Sequence, residues 1–250
     1  MNSIGQPPDP ELVLKMESDT KQNCVSLIIR TGLILKIDHT AIITGVSLLH
    51  RFYAEQSVFK NDRFLVSMAC IFLGGKVADS PKSSRDVLMA GFGVLYPRDK
   101  PTKEWLDSAR KKLFKAERAV IYQTGLKFPW KTANEYMVDL LREKKLNSFL
   151  TDTLQDDAKK FNNLANALVN SSAKIPLVLD YHPKTIAAAC VWFAMKMLKL
   201  PDTSLNQSRP WYTDYATAQE LKDIAERLSR TLVEKAIAIE SWDNTPKTNA

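Results

Sequence analysis

Residues 50–81 read HRFYAEQSVFKNDRFLVSMACIFLGGKVADSP. Between Arg63 and Asp79, about four helical turns are apolar or small on every face and carry a single charge, Lys76. A helix apolar all round belongs in the middle of a core. An ammonium at its end must reach water or meet fixed acceptors, because an isolated buried charge costs several kcal/mol.

The flanking sequence supplies helices to surround it. Asn61 is the expected N-cap of the central helix, and Asp79-Ser80-Pro81 stops it, since proline disfavours helix in the residue before it. Upstream, Asp38 caps a helix from His39 to Gln56, with Ile42, Ile43, Val46, Leu49 and Tyr53 at helical spacing. Before that, Ser18 to Leu35 is helical, preceded by an extended Met1 to Pro10 and a short helix from Glu11 to Met16. Downstream, Ser83 with Asp86 is a capping box for a short helix through Met89, and Gly91, Gly93, Pro97 and Pro101 read as loop. Thr102 opens a long helix to Thr124, closed by Gly125, with an apolar stripe through Leu106, Ala109, Leu113, Ala116 and Val120 and with Glu117 beside it. Lys127 to Trp130 is the expected boundary. Helices follow over Thr132 to Lys144, Asp152 to Asn170 and His182 to Leu200, then a loop to Asp214 with a turn near Trp211. Thr217 and Glu220 form a capping box for a last helix to about Ser241. Strand-like alternation is convincing nowhere, so the fold class is all-α.

An internal echo organises these elements. Ala69, Cys70 and Lys76 are matched by Ala189, Cys190 and Lys196, 120 residues later (190 against 70), with aromatic or aliphatic bulk between. So long an offset indicates duplicated domains, not a short-period solenoid. Each half wraps about four helices around one buried central helix. The expected division is a lead-in over 1–17, a first repeat over 18–128, a second over 129–241 and a polar tail over 242–250. Small residues, Gly74 and Gly75 in the first copy and Ala187 to Cys190 in the second, let neighbouring helices approach closely.

Composition narrows the function classes. The 250 residues, 45% hydrophobic and 25% charged, suit a globular protein with a sizeable core. No apolar run is long enough for a membrane helix and Met1 to Pro10 lacks the pattern of a signal peptide, so an intracellular location is expected. Cys24, Cys70 and Cys190 form no C-x-x-C pair and are read as small buried hydrophobes; neither a zinc site nor a disulfide framework is expected. His39, His50 and His182 are read as capping or packing residues, with no spacing that suggests a triad or metal. No P-loop, dinucleotide fingerprint or nucleophile elbow occurs, so no cofactor and no catalytic role are expected. The net charge of +7 allows acidic or nucleic-acid partners, and basic clusters stand at Arg110, Lys111, Lys112 and Lys115 and at Arg142, Lys144 and Lys145. Interleaved acids make solvated helix faces the plainer reading of both clusters.

Two five-helix repeats with His50-Arg51-Phe52-Tyr53 and Ser57 in the second helix, Phe72-Leu73-Gly74-Gly75-Lys76-Val77 closing the third before Pro81, and AERAVIYQTGLKF (116–128) in the fifth resemble a pair of cyclin boxes. The resemblance is closest to transcription-type cyclins, the K, T, L and C group. It covers roughly Ser18 to Ser241, and in the second half rests on the pattern Ile186 to Met197 and on Arg209-Pro210-Trp211-Tyr212.

That resemblance implies an activating, non-catalytic subunit bound to a cyclin-dependent kinase, acting in the nucleus on the C-terminal repeats of RNA polymerase II. It carries the family's kinase-facing lysine and glutamate onto Lys76 and Glu117, and its apolar contacts onto Val77, Leu126 and Phe128. Ala78-Asp79 stands where the family usually has two glutamates. Thr20 and Leu27 occupy the first-helix positions where cell-cycle cyclins dock substrates, so docking of that kind is not expected. A rival reading is a general transcription factor of the factor B type, with similar repeats and a basic DNA-binding surface. Such proteins carry a zinc ribbon, for which this chain has no cysteine cluster. A purely structural helical scaffold would leave the placement of Lys76 and Glu117 unexplained.

Overall fold

A computed structural model describes residues 10–125, 131–143, 155–200 and 210–243. Among them every regular element is helical: α1 (Pro10–Ile34), α2 (His39–Glu55), α3 (Arg63–Val77), α4 (Ser84–Leu95), α5 (Lys103–Thr124), α6 (Ala133–Glu143), α7 (Gln155–Ser172), α8 (Pro183–Met197) and α9 (Ala218–Asp243), with 3-10 turns at Pro176–Leu179 and Trp211–Asp214. The all-α expectation holds. The chain forms two compact units. One takes the residues up to Trp130 together with Ala173–Leu179; the other takes Lys131–Ser172 and everything from Asp180 onward.

In the first unit α3 is the centre, in contact with α1, α2, α4 and α5. Residues 65 to 75 of α3 are all buried, and Ile71, Met68 and Cys70 have no exposed surface. Each such aliphatic side chain contributes roughly 1.5–3 kcal/mol through burial. Ile28 of α1, Val46 of α2, Leu88 of α4 and Leu113 of α5 close the core around it. The closest approach is between α2 and α3. A Cβ on Gly74 would fall on the Ala41 carbonyl oxygen and 2.8 Å from the Gly45 nitrogen, and one on Gly45 would lie 3.1 Å from the Cys70 oxygen. Gly75 serves differently: its Cβ would meet the Ser80 oxygen, in the turn that ends the helix.

Several ends form as their sequences dictate. Asp38 accepts from the Thr40 amide, Ser83 from Asp86, Thr102 from Trp105 and His182 from Lys184, while Gly125 closes α5 at φ 62°. Thr217 and Glu220 cap α9 reciprocally. Other ends differ from expectation. Asp62 caps α3, not Asn61, whose amide donates instead to the Ser57 carbonyl at 2.8 Å. α1 runs unbroken through Glu17 and Ser18: the Glu17–Lys21 pair at 2.9 Å and a Thr20 hydroxyl donating to the Met16 carbonyl keep this polar stretch helical. Pro10 opens that helix, at the one place where its missing N–H costs nothing. α4 continues past Met89 to Leu95, so Gly91 and Gly93 are helical. At Gly91 a Cβ would overlap the Met68 sulfur, which is why the helix tolerates glycine there.

In the second unit α8 holds the central place, packed by α6, α7 and α9. Ala187 to Val191 have no exposed surface. The two central helices also end alike. After α3, Asp79 turns left-handed (φ 51°) and the Ser80 amide donates to the Gly75 carbonyl. After α8, Lys199 does the same (φ 53°) and the Leu200 amide donates to Met195. Both are Schellman ends, again 120 residues apart (199 against 79).

Candidate functional site

The Schellman turn places Lys76 in the last turn of α3, where the helix dipole favours a cation. Its Nζ donates to Glu117 Oε1 on α5 at 2.6 Å and lies 4.1 Å from the centroid of the Phe72 ring, one turn back on α3. Phe72 is in turn edge-on to Phe114 of α5 at 6.2 Å. The two helices therefore carry an ion pair on an aromatic base, with a cation–π contact adding to the Coulomb attraction.

The pair is asymmetric. The Lys76 side chain is 45% exposed and that of Glu117 10%. Removing the lysine would orphan a largely buried carboxylate; removing the glutamate would leave an ammonium that can still reach water. Lys76 has two N–H donors beyond the one given to Glu117 and half its side chain in solvent, and Glu117 keeps a second oxygen. Such a corner can bind backbone carbonyls and amides of an apposed chain through charge-assisted hydrogen bonds.

Of the five expected contact residues, Lys76, Val77 and Glu117 meet at this corner, with Val77 40% exposed and adding apolar surface. Leu126 and Phe128 lie outside the described residues. Asp79, where the family pattern has glutamate, takes the left-handed turn position that aspartate accepts more readily than most side chains. Tyr122, on the last turn of α5 and 88% exposed, was not singled out in the sequence. Its signal was only an aromatic falling off the apolar stripe.

The other candidates resolve by burial. All three cysteines are free and buried; burial pushes the Cys190 thiol up to about 12. His50 packs, with Nε2 3.0 Å from the Ala173 carbonyl; His182 caps. Lys196 stands 5.6 Å over the Trp192 ring, as Lys76 stands over Phe72. Among the aromatics of the two central helices Phe72 is buried, whereas Phe64, Trp192 and Phe193 are half-buried. A hollow lies beside Thr20 and Leu27, also lined by Asn23, Phe59 and Arg63. No group of His, Cys, Asp and Glu among the described residues could hold a metal ion.

Comparison with known proteins gives this geometry a family. Residues 4–121 match the cyclin N-terminal domain and residues 145–244 the cyclin C-terminal domain. Similar curated proteins include "Cyclin-T1-4" of Arabidopsis thaliana, 25% identical over 86% of this chain and 39% of its own length, and human "Cyclin-L1", 29% identical over 84% and 39%. The chain thus spans about two fifths of the length of these relatives. Among solved structures, a chain of the yeast RNA Pol II CTD kinase CTDK-1 complex has the same fold (TM-score 0.71, 18% identity, 86% of this chain and 66% of that one). So does a chain of the CAK complex of Chaetomium thermophilum (TM-score 0.65, 16% identity, 96% and 69%). With both domain types matched in order, the chain belongs to the cyclin family, and it is similar to members of the T and L groups.

Proposed function

We propose that this chain is the non-catalytic, activating subunit of a cyclin-dependent kinase that phosphorylates the RNA polymerase II C-terminal repeats in the nucleus. The observation that carries the reading is the Lys76–Glu117 pair, half open to solvent at the end of the central helix. The T and L relatives and the fold shared with a chain of an RNA polymerase II kinase complex support it. Among the described residues no helix is long and apolar enough to cross a membrane. The two boxes are taken as residues 18–128 and 129–241.

Lys76, Val77 and Glu117, extended by Leu126 and Phe128, would press against the kinase's regulatory helix. Lys76 donates to its carbonyls and Glu117 accepts from its amides. Activation then follows as a population shift. The cyclin surface binds the arrangement in which the kinase's lysine–glutamate pair and activation loop are in place, and biases the two-state element by that difference in affinity.

The test is co-purification followed by a kinase assay on polymerase repeats. Mass spectrometry of the wild-type eluate should identify a cyclin-dependent kinase. The double variant Lys76→Ala with Glu117→Ala should lose at least tenfold in kinase affinity, about 1.4 kcal/mol, with activation falling in parallel. A double variant that stays folded by circular dichroism and still binds and activates every kinase partner as the wild type does would sink the assigned interface.

A further inference from the structure

The first unit has another concave surface, whose lining includes neither Lys76 nor Glu117. Where α3 begins, α4 ends and α5 begins, Phe64, Phe92, Tyr96 and Trp105 line one cavity of about 240 Å³. The rings run in series: Phe92 lies 4.9 Å from both Tyr96 and Trp105, and Trp105 lies 6.0 Å from Phe64. Tyr96 is 51% exposed and its neighbour Leu95 46%, while the other three rings are half-buried. Single exposed apolar residues are ordinary; a contiguous aromatic hollow is not.

Two features define what fits it. The first is the indole N–H of Trp105, which bonds no acceptor among the described residues. Trp211 also lacks a partner for its indole nitrogen, but that atom is buried, whereas the Trp105 side chain lines an open cavity. Its natural acceptor is a backbone carbonyl. A helical ligand spends its carbonyls internally, whereas a polyproline-type segment has none engaged and presents flat proline rings to aromatic faces.

The second feature is charge. Lys112 lines the cavity and Arg63 stands at the adjoining hollow, both exposed. The one acid in the lining is Asp62, whose Oδ1 already accepts from the Leu65 amide as the cap of α3. A cationic guest such as a methylated lysine would meet the Lys112 and Arg63 charges, against which the lining sets the single carboxylate of Asp62. An acidic guest complements the rim.

We infer that the aromatic hollow between α3, α4 and α5 is a docking site for an acidic, proline-containing segment of a partner polypeptide in extended conformation. Its rings grip the prolines, Trp105 donates to a carbonyl between them, and Lys112 with Arg63 holds the acidic flanks. The inference shares no residue with the kinase-binding corner and does not rest on it.

The test is fluorescence polarisation with the full chain and a labelled short peptide carrying a Pro-x-x-Pro core flanked by glutamates. Saturable binding is expected. Trp105→Phe, which keeps a ring and removes only the N–H, should weaken it about fivefold, the loss of one ordinary hydrogen bond. Tyr96→Ala and Lys112→Glu, both at exposed positions, should each weaken it by at least as much, and the Lys112 effect should shrink in high salt. A peptide with its prolines replaced by alanine, or with lysine flanks, should not bind. The inference is overturned if no saturable binding occurs, if the alanine peptide binds equally, or if a trimethyllysine peptide binds more tightly. It is overturned too if Tyr96→Ala leaves binding intact, or if that variant instead abolishes self-association of the chain. Kinase co-purification by Tyr96→Ala should match the wild type, so failure of the docking site and failure of the kinase interface are read separately.

Discussion

His50 is 7% exposed and donates from Nε2 to the Ala173 carbonyl at 3.0 Å. Burial is the main force that pulls its pKa down from the ordinary 6.5 to about 4; the nearby Lys21 ammonium pushes the same way, and the Ala173 bond opposes them. The folded chain therefore keeps the ring neutral at a pH where the unfolded chain protonates it. With the folded value depressed, the unfolded state binds more protons between about pH 6.5 and 4, so stability is fully present above 6.5 and is lost as pH falls through that window. The loss is on the order of 3 kcal/mol by pH 4. Urea melts from pH 7 to 4 should show it, and His50→Gln, which can still donate but cannot titrate, should flatten the profile. An unchanged slope in that variant would assign the acid sensitivity elsewhere. Histidine spacing could exclude a triad or a metal cluster, but not say which carbonyl the ring would meet. Lys76 was legible for the opposite reason: one charge in an apolar run must have a partner or an outlet, and it has both. Glu117 entered only through the family resemblance, because a carboxylate beside an apolar stripe looks the same whether it faces water or a lysine.

At the level of elements, α3 was the most readable, being apolar all round and so central. Its crossing with α2 rests on the absence of side chains at two points. Adding a methyl at Gly74 sets it on the Ala41 carbonyl oxygen, and backbone cannot step aside as a flexible side chain can. Gly74→Ala should cost about 3 kcal/mol, the upper range for overpacking. Gly93, in the same unit, has nothing within 4 Å of a Cβ and sits in a helix with ordinary φ. Gly93→Ala should therefore stabilise by about 0.5–1 kcal/mol, the propensity difference alone. Thermal or urea melts of the two variants should move in opposite directions; a shared direction would mean that the α2–α3 crossing is looser than described. The helix ends missed in the sequence have physical causes. Glycines at 91 and 93 read as loop because propensity carries no information about the Met68 sulfur packed against Gly91. The join at Glu17, between the expected helices Glu11 to Met16 and Ser18 to Leu35, read as a break because the i,i+4 bonds across it support the helix without showing as apolar periodicity. Tyr96 and Phe92 were thereby assigned to a loop, which hid the aromatic hollow.

The whole molecule repeats one plan: a central helix without a polar face, small residues where its neighbours cross, a left-handed residue at its end, and a lysine stacked on the aromatic one turn earlier. This periodicity was legible from Ala69, Cys70 and Lys76 against Ala189, Cys190 and Lys196 because small residues and a helix-end cation are each forced by packing. The extent of the first unit was less so. Its inclusion of Ala173–Leu179 depends on His50 and on Gln22, which donates to the Lys174 carbonyl at 2.8 Å, and neither bond has a sequence signature. Each unit closes its own core around its own central helix, and this has an energetic consequence. Ile71 has no exposed surface, so Ile71→Ala removes three methyl-sized groups from α3 and should cost about 2–4 kcal/mol. Native-state hydrogen exchange reads where that loss falls. The amides of α3 should lose protection about 30-fold or more, while those around Cys190 in α8 change less than threefold, since the described residues of the cluster that holds Ile71 all belong to the first unit. Equal loss in α3 and α8 would show that the two repeats unfold as one cooperative body, and that the duplication seen in the sequence no longer marks separate energetic units.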